Sequence, residues 1–334
     1  LRAILPVHTP VLAGIDVGNG RVKVATNVVG CESFEFQSIA APSATIGEAI
    51  HGAGSDRRVS VDGTPWTVGL SPNAVDWKPS IHKGAHLSDA HHALFLGALN
   101  RIGRDIDIAI VGMTVDQAAD KAMVAKLKDR LIGSHDVGNG TVHVDRVGIV
   151  PQPRGTTRLY IESILDDIVE QSVAILDFGE GSFDANRVVV SVDDDGVPQI
   201  RIDPKASMAE WIGVYDVSQK VAGWTRGRLK AEQVSRALRL GQKTIRHVAG
   251  DIDIGAMVDR AAKPLSEALA ASVKTRMNGF DSVDMILMTG GGAYVFADHM
   301  KALLGGKPCR IIPNAGKANA TGFLLLARDY AGKG

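Results

Sequence analysis

Two stretches of this chain carry residues whose order suits the handling of a polyphosphate. Asp16-Val17-Gly18-Asn19-Gly20 closes an apolar run that starts at Val11, and Asp177-Phe178-Gly179-Glu180-Gly181-Ser182 closes Val173-Ala174-Ile175-Leu176. In each, an Asp ends a strand-like segment and glycines open the turn. Glycine has no Cβ and accepts positive φ, so backbone N–H groups in such a turn can approach an anion closely. Two turns facing each other would grip a polyphosphate from both sides. The Asp beside each turn could hold Mg2+, often through water, against the phosphate oxygens. One such turn alone reads more simply as a tight turn with a capping Asp. The repetition of the pattern in the two halves of the chain is what points to chemistry. Lys23, on the strand leaving the first turn, is either a point charge for a phosphate or a solvated strand lysine.

A third stretch, Met285-Ile286-Leu287-Met288-Thr289-Gly290-Gly291-Gly292-Ala293, breaks from an apolar strand into three glycines just before a helix. Bare backbone there can lie flat against a base or a ribose. A strand-glycine-helix junction is common in α/β proteins, so its place after the two Asp-Gly turns is what gives it weight. No GxGxxG opens a helix after the first strand and no GxxxxGK[ST] occurs, which excludes the Rossmann and Walker fingerprints.

The elements that must position these residues alternate as in an α/β protein. Segment 11–26 reads as a β-hairpin, and strand-like 58–61 and 66–68 lie in Gly- and Pro-rich text. A helix is predicted over 88–102 with Ser88 as its N-cap, a strand over 106–111, a helix over 116–131, a strand over 142–150 and a helix over 158–170. The second half repeats strand, glycine turn and strand, with 187–192 as the returning strand. Asp193-Asp194-Asp195-Gly196 lacks the spacing of a calcium loop and reads as a solvated turn onto 199–202. Helices are predicted over 210–221, 230–238 and 254–277, then a strand over 282–289 and a helix over 293–304.

Composition narrows the function. The 334 residues suit two domains or one bilobed unit, and 45% apolar with 22% charged residues is ordinary for a folded chain. Lys plus Arg and Asp plus Glu both number 37, leaving no surplus of positive charge for a long nucleic-acid footprint, so no direct nucleic-acid contact is expected. No apolar run is long enough to span a bilayer, and the first residues lack the pattern of a signal peptide; a cytoplasmic protein without membrane contact is expected. Cys31 and Cys309 have no metal-type spacing and read as two buried thiols. His91 and His92 point about 100° apart on a helix, which favours packing or capping over a shared metal. Trp66, Trp77, Trp211 and Trp224 are scattered and read as core or interface.

Taken in order, Ile15-Asp16-Val17-Gly18-Asn19-Gly20, Leu176-Asp177-Phe178-Gly179-Glu180-Gly181-Ser182 and Met288-Thr289-Gly290-Gly291-Gly292-Ala293 resemble the first phosphate, second phosphate and adenosine motifs of the superfamily that joins actin, heat-shock chaperones and hexokinase. A closer resemblance, to the ParM/StbA plasmid-segregating actins, rests on Ala90-His91-His92-Ala93-Leu94 and on Val150-Pro151-Gln152-Pro153 ahead of the second phosphate turn. The resemblance implies an α/β, actin-like (ribonuclease H-like) two-lobed fold, each lobe a mixed β-sheet flanked by helices. It divides the chain into a first lobe over 1–165, a second over 166–322, and a C-terminal helix, 323–334, returning to the first. ATP with Mg2+ would lie in the cleft, with Asp16 and Asp177 on the metal through water. Gly18, Asn19, Gly20, Lys23, Gly179, Gly181, Ser182, Gly290, Gly291, Gly292 and Ala293 would hold the nucleotide, which could also be GTP.

Such proteins form filaments of their own copies that hydrolyse ATP, and an adaptor bound to centromere-like plasmid DNA links filament to cargo. Where ParM-like proteins use a glutamate to position the attacking water, this chain has Gln152, with Glu162 as the competing candidate. Glutamine orients water but is a poor base, which suits a reaction governed by positioning and charge. Glu180 and Phe183 also depart from the family's usual second phosphate turn. Two other readings stand beside the filament ATPase. A small-molecule kinase of the same superfamily would need a carboxylate base, for which Asp105, Asp107 and Asp116 are available. A non-polymerising ATP-binding regulator would tolerate Gln152 in place of the glutamate.

Overall fold

The computed structural model describes residues 9–45, 57–71, 82, 84–168, 170–192 and 198–332, without the side chains of 57, 161–168 and 198. The Asp193–Asp195 turn, Trp77, the first eight residues and the Glu162 side chain lie outside what is described.

The first sheet begins with β1 (Leu12–Val17), β2 (Arg21–Thr26) and β3 (Ser33–Gln37) as an antiparallel meander. All six β1 residues are buried, as expected of an apolar strand flanked on both sides. A small sheet of β4 (Ala40–Pro42), β5 (Arg57–Val61) and β6 (Thr64–Val68) lies over α1 (Asp89–Ile102). Helix α1 keeps its predicted bounds because both ends are capped. The Ser88 hydroxyl accepts from His91 N at 3.2 Å, and Gly103, at φ 66°, returns its N–H to the Leu99 carbonyl.

β7 (Ile106–Met113) joins β1 in parallel. The single helix expected over 116–131 is two, α2 (Val115–Ala118) and α3 (Lys121–Leu131), because Asp120 caps the second by accepting from Ala122 N and Met123 N. β8 (Gly133–Asp136) and β9 (Thr141–Pro151) complete a sheet of order β3-β2-β1-β7-β9-β8. α4 (Pro153–Ile168) starts earlier than predicted, with proline at its first position, where the missing N–H costs nothing.

The second sheet repeats this plan. β10 (Ser172–Phe178), β11 (Phe183–Val192) and β12 (Pro198–Glu210) form a meander. After α5 (Val214–Trp224), α6 (Ala231–Arg239), the short pair β13 (Thr244–Ile245) and β14 (Ile252–Asp253), and α7 (Gly255–Arg276), β15 (Met285–Thr289) joins β10 in parallel. β16 (Cys309–Ile311) follows α8 (Ala293–Leu303) and joins β15, giving the order β12-β11-β10-β15-β16. The helix expected from 210 starts at Val214 because β12 runs on through Glu210.

α4 and α9 (Ala318–Ala331) exchange partners. Tyr160 of α4 packs among Val173, Ile175, Val188, Met285 and Leu287 of the second sheet, whereas Ala320, Phe323, Leu324 and Ala327 of α9 pack on Leu12, Ile108, Ile110 and Val150 of the first. The helices cross glycine on glycine: a Cβ on Gly322 would lie 1.7 Å from the Gly155 carbonyl oxygen. The divisions expected at 165 and 322 therefore fall inside α4 and α9. The architecture is α/β, with two lobes built on one plan. No helix among the described residues is long and apolar enough to cross a membrane.

Candidate functional site

The strand registers place the chemistry. In the first hairpin Asp16 lies opposite Lys23, and in the second Asp177 lies opposite Asp184. Both hairpins open onto a cavity of about 330 Å3 between the lobes. Asp16, Gly18, Asn19, Gly20, Lys23, Gln152, Asp177, Gly179, Ser182, Gly290, Gly291 and Gly292 all line it. Gly181 is buried beside Gly213, and Ala293 is fully buried in the second lobe's core; neither is among the lining residues.

Both oxygens of the buried Asp16 are engaged. Lys23 Nζ lies 3.2 Å from Oδ2, and Gln152 Nε2 donates to Oδ1 at 3.0 Å. Burial alone would lower the Lys23 ammonium's proton affinity, but Asp16, with Asp177 and Glu35 adding, outweighs it and the net direction is up. Asp177 Oδ2 accepts from Asn319 Nδ2 at 2.6 Å. Burial pushes Asp177 up to about 6, with the Asp16 charge adding and Asn319 and Lys23 opposing. The third glycine stretch closes on this carboxylate. Gly290 has φ 84°, and a Cβ there would lie 2.3 Å from Asp177 Oδ1, so only glycine fits.

The two turns also touch. A Cβ on Gly20 would lie 3.0 Å from the Glu180 side chain, and Glu180 Oε1 accepts from Ser235 Oγ at 2.5 Å. Burial raises Glu180, against the lowering effect of Ser235, Arg239 and Lys23. Asp184, 2% exposed, lines the same cavity, and its Oδ1 accepts from Val115 N of the first lobe at 2.8 Å.

No cluster of three or more His, Cys, Asp or Glu among the described residues could cage a metal ion by protein ligands alone. Mg2+ takes one or two carboxylates with phosphate oxygens and keeps several waters. Asp16 and Asp177, buried on opposite hairpins at one cavity, fit that use.

Residues 14–155 match the family of actin like proteins N terminal domain. The fold is actin-like. Solved structures extend the likeness over both lobes. The archaeal actin homolog Ta0583 in complex with ADP is 20% identical, with 97% of this chain and 100% of that one covered and a TM-score of 0.71. A 15-stranded ParM filament from Clostridium botulinum gives 18%, 96% and 100% coverage, and a TM-score of 0.72. The actin-like protein Alp7A gives 12%, 97% and 98%, and 0.72. At these identities the structural likeness establishes the fold, and the presence of ParM among the neighbours agrees with the resemblance drawn from the motifs. No curated protein matches the chain by sequence.

This actin-like cleft also holds residues that sequence reasoning passed over. Asp184 was signalled only by spacing, since it follows Asp177 by the interval that separates Lys23 from Asp16. Asn319, Ser235 and Arg239 sit on helices with no local motif. His91 packs as expected, its ring tilted 58° against His86 at 4.9 Å between centroids, but it lines the cavity too. Burial, with His86, His92 and Arg130 adding, holds its imidazole well below the usual range.

The kinase carboxylates serve elsewhere. Asp105 accepts from His143 N, Asp107 from Val11 N, and Asp116 lines a separate open groove with Glu210 and Arg276. Trp211 borders the cleft, whereas Trp224 lies half exposed under Arg260. Cys31 and Cys309 are free thiols, half-buried rather than buried as expected, because each lies at the margin of a core cluster.

Proposed function

We propose that this chain is a nucleotide-dependent, filament-forming ATPase. The observation that carries the reading is the matched pair of glycine hairpins, with buried Asp16 and Asp177 facing each other across one cavity. Backbone N–H groups of the two turns would hold the phosphates, and Lys23 would add a point charge. Gly290–Gly292, with Ser235 and Arg239 nearby, would take the adenosine. Gln152, fixed by Asp16, would orient the attacking water from its amide. Mg2+, held through water by Asp16 and Asp177, would neutralise charge on the phosphate oxygens. The lobe division we propose runs through the α4 and α9 crossing, where Gly155 and Gly322 let the two helices approach closely.

Filament structures of a ParM and of Alp12 among the neighbours support self-association as the output. The ParM resemblance supports plasmid segregation in the cytoplasm through an adaptor bound to centromere-like DNA, with no direct nucleic-acid contact by this chain. Pelleting with Mg-ATP, Mg-ADP and a non-hydrolysable analogue, with phosphate release followed in the same tubes, tests the reading. Nucleotide-dependent pelleting with phosphate release is expected. Soluble protein that passes phosphate only to an added metabolite would overturn it in favour of the kinase, and binding with neither pelleting nor turnover would favour a regulator.

A further inference from the structure

The cleft floor is bridged by Asp184. This side chain belongs to the second phosphate hairpin, opposite Asp177, yet its Oδ1 accepts from Val115 N, where α2 of the first lobe begins, at 2.8 Å. Two residues earlier in the first lobe, the Met113 carbonyl accepts from Gln152 N at 2.8 Å. Gln152 then donates its side-chain amide to Asp16 Oδ1 at 3.0 Å. A short series of hydrogen bonds therefore runs from the second phosphate hairpin, through the residue placed to orient water, to the carboxylate of the first hairpin.

We propose that Asp184 is a positioning residue: it sets the Met113–Val115 segment, and through it Gln152, in register with the second lobe's phosphate turn. The inference rests on the hydrolytic reading of the cleft. Asp184 need not touch the nucleotide to act this way. Its loss should spare binding and slow turnover, because displacement of a water-orienting group by a fraction of an ångström is costly in a reaction governed by placement. Burial, with Asp177, Asp116 and Asp16 adding and the Val115 bond opposing, holds the Asp184 carboxyl well above the usual range. Asparagine keeps the Oδ1 acceptor for Val115 N and removes the ionisable group.

The bond can be removed from either side. Asp184→Ala deletes the acceptor. Val115→Pro deletes the donor at a first helical position, where proline is favoured, and the preceding Thr114 already has the extended backbone, φ −59° and ψ 152°, that proline requires.

The experiment compares the full chain with Asp184→Ala, Asp184→Asn and Val115→Pro by ADP titration, steady-state phosphate release, and amide hydrogen exchange over 113–118. Asp184→Ala and Val115→Pro are each expected to lower kcat by roughly 10- to 100-fold, with ADP affinity within about threefold of the parent and faster exchange over 113–118. Asp184→Asn is expected to restore kcat to within about threefold and to restore protection. A kcat within about twofold of the parent in both deleting variants would overturn the proposal. So would a parallel loss of affinity and kcat that asparagine does not rescue. If the parent chain releases no phosphate, the hydrolytic reading fails by itself. Exchange over 113–118 then still decides the link, and unchanged exchange in both deleting variants would sink it. Should Asp184→Ala fail to fold, Val115→Pro carries the same comparison with the carboxyl intact.

Discussion

The two glycine hairpins share one backbone plan and carry different charge pairs. In the first, the cross-strand pair is Asp16 with Lys23, an acid and a base 3.2 Å apart. In the second it is Asp177 with Asp184, two buried acids. The turns differ as well: the third residue after the strand-ending Asp is neutral Asn19 in one and Glu180 in the other. Backbone geometry therefore accounts for what the hairpins have in common, an antiparallel pair closed by a glycine turn at the cavity. The side chains account for what they do separately. The first ties its carboxylate to Lys23 and Gln152, and the second sets two acids at the same site, both raised by burial.

Breaking the first pair should have the largest effect. Lys23→Met leaves Asp16 buried without its counter-ion, and removing one partner of a buried pair costs roughly 3–5 kcal/mol. Denaturant unfolding of the variant should show a loss of this order; a loss below about 1 kcal/mol would mean that the pair is screened like a surface one. The corresponding change in the second hairpin, Asp184→Asn, should alter stability by about 1 kcal/mol or less, since no ion pair is broken there. Equal effects in the two hairpins would erase the distinction between them.

Next in size is Gln152→Ala. It removes the group we propose to orient water and the donor to Asp16 Oδ1. A fall in kcat of about 100-fold is expected, with nucleotide affinity little changed. Phosphate release at the parental rate would move the water-orienting role away from this residue.

Proton linkage separates the hairpins more finely. The Asp177 carboxyl sits at about 6 in the folded chain, above its ordinary value of 3.8. A raised folded value means that the stabilisation is fully present at low pH and is lost as pH rises through about 6. The nucleotide-free protein should therefore gain stability from this group between about pH 7.5 and pH 5, and Asp177→Asn should flatten that slope. Bound Mg-nucleotide favours the carboxylate, so affinity for Mg-ADP should fall over the same interval. Titrations at the two pH values check both signs, and affinity that rises on acidification would remove Asp177 from the metal's surroundings.

The parts of the site that were legible in the sequence are those made by local chain chemistry. Asp16, Gly18, Gly20, Asp177, Gly179 and Gly290 stood out because a strand end, a positive φ or a close approach demands particular residue types nearby. The helix over 89–102 was legible from its Ser88 cap and apolar spacing. Asn319, Ser235, Arg239 and the Asp184 bond to Val115 were not. Each depends on elements far apart in the chain being folded together, as when Asn319 of α9 reaches Asp177 of β10. The split of α2 from α3 and the extension of β12 to Glu210 were missed for a related reason: a side-chain cap in one case and cross-strand pairing in the other overrode the apolar period.

The smallest effect tests the turns themselves. Glu180 stands where the first hairpin has Asn19, and it places a carboxylate beside Gly20 at the mouth of the phosphate cradle. Glu180→Gln keeps an acceptor for Ser235 Oγ and removes a charge of the same sign as the phosphates. ATP should then bind about threefold more tightly, a difference of roughly 0.6 kcal/mol, with ADP changed less because it carries one phosphate fewer. Equilibrium titration of both nucleotides measures this. Weaker binding of both by the same factor would mean that the carboxylate accepts a bond from the part they share, the ribose or base. The second turn would then be a nucleoside contact, and the likeness of the two hairpins would end at their backbones.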